Sequence, residues 1–305
     1  MNILVTGATG KFGPLLVNRL VQERHQVRVL VHATPIHIAG VEQMTGDMTN
    51  PAEIKKACEG VDCICHLATV KGNKEKFLQV NVGGFYHVLE AARASDRLPQ
   101  VILLSGDNVV PIYDYEHPAL FDETTPYLFV DDEYGLSKIL EETVALQYAR
   151  KFRMPITVLR GSWIMEGMRA TQLCHPRLGG WKRYLSDDLR KKLDAGENFY
   201  VVPLDMHGKP LKRHVVDPRD LAAAFVWALK NASTYGEIFH IAGPNAFDYQ
   251  ELAEYMTKKE PASIHGVATP DAFSFEISLA KARNLGFSPR HTIYNTVEWA
   301  FSGNL

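Results

Sequence analysis

The residues best suited to chemistry lie in the run Tyr134-Gly135-Leu136-Ser137-Lys138. On a helix, positions four apart share a face, so Tyr134 and Lys138 would stand together. A free phenol has a pKa of about 10 and is a poor base at neutral pH. A neighbouring ammonium favours the phenolate and lowers that value. A tyrosine so placed can take the proton of an alcohol while a hydride leaves the same carbon. A surface Tyr–Lys pair that serves only its helix has the same spacing. The pair therefore gains meaning only beside a hydride acceptor.

The N-terminal stretch Val5-Thr6-Gly7-Ala8-Thr9-Gly10-Lys11-Phe12-Gly13 offers a place for one. A short apolar run, 2–5, leads into it, and Leu16, Val17, Leu20 and Val21 follow at helical spacing. That is strand, glycine turn, helix. Gly7 can take the tight turn at the strand end. Gly10 lets backbone approach a pyrophosphate, and Gly13 lets the helix pack close to the strand. The helix start then aims its free N–H groups and positive dipole end at the phosphates. A tight βα turn without a ligand would use similar glycines. Its place at the head of a βαβ series favours a dinucleotide, and with it a nicotinamide as the acceptor.

The elements that must position these residues alternate. Segments 27–31, 42–46, 61–67, 101–104 and 156–159 read as strands two to six. Segments 77–93 and 134–150 read as long helices. Asn50-Pro51-Ala52-Glu53 reads as a helix start, with Asn50 as N-cap and Glu53 closing a capping box, and Gly60 as its stop. Such alternation predicts a parallel sheet with helices on both faces and ligands at the carboxyl ends of the strands. Past Arg160 the rhythm breaks. One clear helical segment, 186–193, is read between 161 and 213. Beyond it come a strand at 215–216, a helix at 221–230, a strand at 237–241, and helices at 250–259 and 278–284.

Bulk composition bounds the function classes. The chain has 305 residues, 46% of them hydrophobic, and a formal charge of -2. It can fill a core, and no global field favours nucleic acid or a membrane surface. Cys63 and Cys65 alternate along an apparent buried strand, which suits reduced thiols. Their spacing lacks a second ligand pair, as do the histidines, so no metal is expected. A start directly in the first strand leaves no room for a signal peptide. The expectation is a cytoplasmic protein.

These motifs resemble the short-chain dehydrogenase/reductase superfamily, specifically its extended branch of NAD-dependent epimerases and dehydratases. The resemblance is carried by the glycine stretch, Gly46-Asp47, His66-Leu67-Ala68-Thr69, Asn81-Val82-Gly83-Gly84, Leu104-Ser105, Tyr134 to Lys138, and Leu159-Arg160. It implies an α/β fold, a Rossmann-type doubly wound parallel sheet at 1–162. A smaller C-terminal substrate lobe at 163–305 would return segments near 214–245 to the main sheet. It implies that Gly7, Gly10, Lys11, Phe12 and Gly13 line the pyrophosphate. Asp47 and Met48 would contact the adenine. Leu67, Ala68 and Thr69 would flank the ribose and nicotinamide side, and Asn81 would support the helix near the cofactor. Tyr134 would be the acid/base, and Lys138 would also hold the nicotinamide ribose. Many relatives pair through two long helices, so a homodimer is expected.

Two departures bear on the chemistry. NAD-specific relatives end strand two with an acid; here Val31 and His32 stand there, so NAD is expected and NADP is the alternative. The resemblance also places a Ser or Thr just past strand five, where the run is Ser105-Gly106-Asp107-Asn108. Ser105 could be shifted into the catalytic role, Asp107 or Asn108 could contact substrate hydroxyls instead, or the chemistry could be impaired. The second reading is preferred.

Between residues 167 and 213 there are ten Lys or Arg against five Asp or Glu. Arg190-Lys191-Lys192 reads as a solvated helix face. Arg169 and Arg213 stand where relatives meet a carboxylate or a diphosphate, which suits a guanidinium fork. An anionic small molecule is therefore expected: a sugar, sugar acid or nucleotide sugar. A cofactor-binding protein without turnover on the same fold is the alternative.

Overall fold

The computed structural model describes residues 1–72, 75–112, 120–128 and 133–303. Seven parallel strands form the central sheet. In chain order these and their helices are β1 (Asn2–Thr6), α1 (Gly13–Gln22), β2 (Gln26–Val31), β3 (Val41–Thr45), α2 (Pro51–Cys58), β4 (Cys63–His66), α3 (Gly84–Arg93), β5 (Gln100–Gly106), α4 (Glu133–Phe152) and β6 (Ile156–Gly161). The second half adds α5 (Asp187–Asp194), β7 (Phe199–Leu204), α6 (Pro218–Ala228), β8 (Glu237–Ile241), α7 (Tyr249–Thr257), β9 (Ser263–Ala268) and α8 (Ile293–Phe301). The sheet order is β3-β2-β1-β4-β5-β6-β8. The order reverses between β1 and β4, and a crevice opens there at the strands' carboxyl ends.

The strand period of two explains the layering. Ile3 and Val5 of β1 face Leu16, Val17 and Leu20 of α1, with Leu221 and Phe225 of α6 in the same cluster. Leu4 faces the other way, into a cluster with Phe85, Val88 and Leu89 of α3 and Ala145 of α4. A third cluster lies wholly in the second half, where Phe199, Val201, Tyr249, Leu252, Ile293 and Val297 pack together. The parallel pair β7–β9 belongs to that region and was not anticipated from the sequence. β8 returns to the main sheet beside β6, in register Ile238 with Val158.

Two local expectations are corrected. Segment 77–93 is not one α-helix: Leu78–Gly83 winds as a π-helix before α3 begins. Asn50 caps α2 through Ala52 N, but Glu53 does not close a capping box. Its carboxylate takes the Asp47 N–H at 2.7 Å and the Asn50 side-chain amide at 2.8 Å instead. The Asn50 backbone N–H is already given to Asp47 O. Among the described residues no helix is long and apolar enough to cross a membrane.

Candidate active site

The glycine turn is built so that no side chain intrudes. Gly7 has φ +70°, and a Cβ there would come within 2.5 Å of Ala68 N. A Cβ on Gly13 would run into the backbone of Ala8. The turn closes through Gly10 N to Gly7 O at 3.0 Å and Gly13 N to Gly10 O at 3.1 Å. α1 starts with Pro14 in its first turn and has no side-chain N-cap. The positive end of its dipole is thus open to an anion without a capping side chain in the way. Thr69 adds a buried hydroxyl with no hydrogen-bond partner among the described residues. A cradle of glycines, an uncapped helix start and an orphaned hydroxyl together fit a dinucleotide.

Gly7, Gly10, Lys11, Phe12, Gly13, Leu67 and Thr69 all line one cavity of about 890 Å³. Tyr134 lines it from the far side. Other predicted cofactor residues lie off its wall. His32 follows β2 and stands 3.5 Å from the Asp47 carboxylate, both exposed. Asp47 accepts from Thr49 N at 2.8 Å and Thr49 Oγ1 at 2.9 Å, and these bonds hold its carboxyl below the usual value. A carboxylate therefore does stand beside His32, although none was visible at the end of β2. Met48 is buried, in contact with Gly84 of α3, and Ala68 is buried behind the turn.

Tyr134 is held by a network that starts at Asn81. This fully buried residue accepts from Val70 N at 2.8 Å and donates to Val70 O at 3.1 Å and Ser137 Oγ at 2.9 Å. Ser137 in turn donates to Tyr134 O at 2.8 Å. The π-helical turn thus ties the 68–71 loop to the first turn of α4, a use to which such irregular turns are often put. Next in that loop, Lys71 places its ammonium 4.0 Å from the centre of the Tyr134 ring. At that distance an ammonium is attracted by the ring. Sequence reasoning missed Lys71.

Lys138 is placed differently from the expectation. Its side chain is 1% exposed and does not line the cavity. The ammonium donates to Leu104 O at 3.1 Å and pairs with Glu141 Oε2 at 2.8 Å, 5.8 Å from the Tyr134 ring centre. Burial opposes its charge, but Glu141, Tyr134 and Glu142 together outweigh burial and raise its pKa. Burial pushes the Glu141 carboxyl up to about 7 against the pull of Lys138, and Glu141 Oε1 has no partner among the described residues. This placement has a simple cause: a buried ammonium is drawn to the nearest buried acid. An acid three residues on, on the same helix face, was the signal available.

The end of β5 distributes its side chains over several neighbours. Ser105 Oγ donates to Glu142 Oε1 at 2.5 Å. Glu142 also holds Arg160 Nη2 at 2.8 Å and Tyr127 Oη at 2.9 Å. Ser105, put forward as the catalytic hydroxyl, is therefore committed to a buried ion pair. Asp107 is buried with Oδ2 2.8 Å from Ser162 Oγ, whose single proton is shared with His214 O at 2.6 Å. Asp107, Asn108 and Ser162 all line the cavity.

The second half supplies the remaining walls. Arg169 reaches Glu166 at 3.3 Å and lies over the Trp163 ring, while Lys11 reaches the same Glu166 at 3.5 Å. Arg213 is 5% exposed, donates to the Phe273 carbonyl and to Lys212 O at 3.2 Å, and stacks on Phe275. Trp181 and Tyr184 also line the cavity. Its charged lining residues are Lys11, Lys71, Arg169, Arg183 and Arg213 against Asp107, Glu166 and Asp271. The excess is positive. Among the described residues no cluster of His, Cys, Asp and Glu is arranged to hold a metal ion. Asp217 caps α6 and binds Arg219 and Thr296.

Comparison with known proteins agrees with this architecture. The chain is 26% identical over 212 residues to L-arabinose 1-dehydrogenase (NAD(P)(+)) of Haloferax volcanii, spanning 64% of this chain and 72% of that protein. It is 30% identical over 199 residues to uronate dehydrogenase of Pseudomonas putida, spanning 64% and 70%. In fold it is similar to a short-chain dehydrogenase/reductase superfamily protein from Agrobacterium tumefaciens with bound NAD, at TM-score 0.87 and 23% identity over 100% of this chain and 97% of that one. It is also similar to UDP-glucuronic acid 4-epimerase from Bacillus cereus in complex with NAD, at TM-score 0.76 and 19% identity over 99% and 98%. The profile described as the NAD dependent epimerase/dehydratase family matches residues 3–242. The chain belongs to that family of enzymes.

Proposed function

We propose that the protein is an NAD(P)-dependent oxidoreductase acting at a secondary alcohol of a sugar or sugar acid, with Tyr134 as the acid/base. One observation carries the reading: the glycine turn and Tyr134 open into the same cavity. The nicotinamide, when bound, accepts or returns a hydride. The chain's own residues do the rest. Gly7, Gly10 and Gly13 admit the pyrophosphate to the start of α1. Tyr134 takes or gives the hydroxyl proton, with the ammonium groups of Lys71 and Lys138 beside its ring. Lys138 acts from beneath the tyrosine. The positive lining of the second half, Arg169 and Arg213 above all, favours an anionic group such as a carboxylate. The names of the relatives, L-arabinose 1-dehydrogenase and uronate dehydrogenase, fit that substrate class. The Asp47 carboxylate beside His32 disfavours a 2′-phosphate and supports NAD over NADP.

The test begins with protein purified without added nucleotide, denatured to identify any released cofactor. NAD⁺ and NADP⁺ reduction is then followed with D-galacturonate, D-glucuronate and L-arabinose. Tyr134→Phe should lower kcat by about 10²–10⁴-fold, the usual worth of a positioned proton acceptor. NADH affinity should stay within about threefold. No reduction with any of these substrates, or a fully active Tyr134→Phe, would sink the reading.

A further inference from the structure

Oxidation of an alcohol builds negative charge on one oxygen, and that oxygen has room for more than one donor. Tyr134 faces it from one side. Beside the Tyr134 hydroxyl stands the end of β5, with the Cβ position of Gly106 3.8 Å from it. Ser105 and Gly106 point to opposite faces of the strand. The Ser105 hydroxyl is given to Glu142 Oε1 at 2.5 Å. Gly106 has no side chain. Asp107 is engaged with Ser162 Oγ at 2.8 Å. The single Ser162 proton is shared between His214 O at 2.6 Å and Asp107 Oδ2 at 2.8 Å.

Asn108 remains, and it is well placed. Its carboxamide folds back over Gly106. A Cβ on Gly106 would collide with Asn108 Oδ1 and would lie 3.8 Å from the Tyr134 hydroxyl. The space that a side chain at 106 would take, directly beside the tyrosine, is filled by the amide of Asn108. Asn108 is half-buried and lines the cavity. A carboxamide carries one acceptor and two donors, and a half-turn exchanges them.

We propose that Asn108 donates, through its side-chain N–H, the second hydrogen bond to the reacting substrate oxygen. The missing Cβ of Gly106 gives it the room. The inference rests on the reading of Tyr134 above. In the oxidative direction the substrate C–H bond breaks and its hydride passes to the nicotinamide. The hydroxyl proton passes to the Tyr134 phenolate oxygen, and the C=O double bond forms. Asn108 gives up no proton; it stabilises the charge that develops on the oxygen.

Wild type, Tyr134→Phe, Asn108→Ala, Asn108→Asp, Gly106→Ser and the double variant Gly106→Ser/Asn108→Ala are compared with D-galacturonate and L-arabinose as probes. NADH affinity and melting temperature are measured on each. Asn108→Ala and Asn108→Asp should lower kcat by about 10²-fold, as loss of one oxyanion donor does, with NADH affinity unchanged within about twofold. Gly106→Ser alone should lower both kcat and melting temperature, because its Cβ displaces the amide. Combined with Asn108→Ala it should recover melting temperature and at least about tenfold in kcat, since a hydroxyl then enters the vacated space. Asn108→Ala with kcat within about threefold of wild type overturns the inference. So does a folded double variant no faster than Asn108→Ala. A wild type inactive on both probes, or an active Tyr134→Phe, overturns the functional reading and this inference with it. An active wild type, an inactive Tyr134→Phe and an active Asn108→Ala overturn the inference alone.

Discussion

Replacing Glu141 by glutamine isolates the effect of the buried acid paired with Lys138. Glu141 is fully buried, touches Lys138 through Oε2 at 2.8 Å, and leaves Oε1 without a partner among the described residues. Burial raises its pKa from 4.5 to about 7. A raised folded-state value means that the folded chain holds this proton more firmly than the unfolded chain. Below pH 4.5 both states are protonated and the contribution to stability is complete. As pH rises towards 7 the unfolded chain ionises first, and stability is lost. At about 1.36 kcal/mol per unit, the loss is on the order of 3 kcal/mol once pH exceeds the folded value. Glutamine keeps the shape and does not titrate. Urea unfolding of wild type and Glu141→Gln, followed by the fluorescence of the four tryptophans, should therefore show a gap that depends on pH. Wild type should lose ground to the variant between pH 4 and pH 8. A gap constant to within about 0.5 kcal/mol across that range would refute the argument, because a group that titrates alike in both states contributes nothing to the slope.

Other outcomes can be stated with their measurements. Glu142→Gln removes the charge that faces Arg160 at 2.8 Å in a site where both side chains are almost wholly buried, and should cost about 3–5 kcal/mol in chemical denaturation. The double change Glu142→Leu/Arg160→Met should regain much of that, since no buried charge is then left alone. Arg169→Gln should raise KM for D-galacturonate by about 10- to 100-fold, the worth of a charge-assisted hydrogen bond, and leave L-arabinose nearly unaffected; equal effects on both would contradict a carboxylate role. Asp47→Asn should tighten NADP⁺ binding relative to NAD⁺ by roughly fivefold, a modest gain because both Asp47 and His32 are exposed. Calorimetric titration of both nucleotides measures that ratio.

The cofactor half was legible because its requirements are written in residue identity. Only glycine holds φ +70° against the backbone of Ala68, and only a βα alternation places that turn at a switch point. The apolar period of α1 told which face meets the sheet, and Leu16, Val17 and Leu20 are buried accordingly. What was not legible depends on where side chains turn. Nothing in the spacing of Tyr134 and Lys138 says that the lysine points inward; that depends on Glu141, whose burial is a tertiary fact. The π-helical turn at Leu78–Gly83 leaves no mark in an apolar pattern that fits an α-helix equally well. The pairing of β7 with β9 joins segments about sixty residues apart, beyond the reach of local periodicity.

The end of β5 shows why the substrate side resists sequence reading while obeying simple rules. A strand sends successive side chains to opposite faces, so Ser105 and position 106 cannot share one task. Ser105 serves Glu142, which must also satisfy Arg160 and Tyr127. Both positions line the cavity, but the Ser105 hydroxyl is held by Glu142 and glycine at 106 offers no functional group. Past the strand the chain turns tightly through Asp107–Val109, which brings Asn108 back over Gly106 while Asp107 is tied to Ser162. Neighbouring residues therefore have different partners: Ser105 reaches Glu142, Asp107 reaches Ser162, and Asn108 folds over Gly106. A carboxamide in place of a hydroxyl keeps a neutral donor at the reacting oxygen without the charge repulsion that Asp107 would bring. On this reasoning Gly106 and Asn108 form one unit, and a change at either is interpretable only with the other in view.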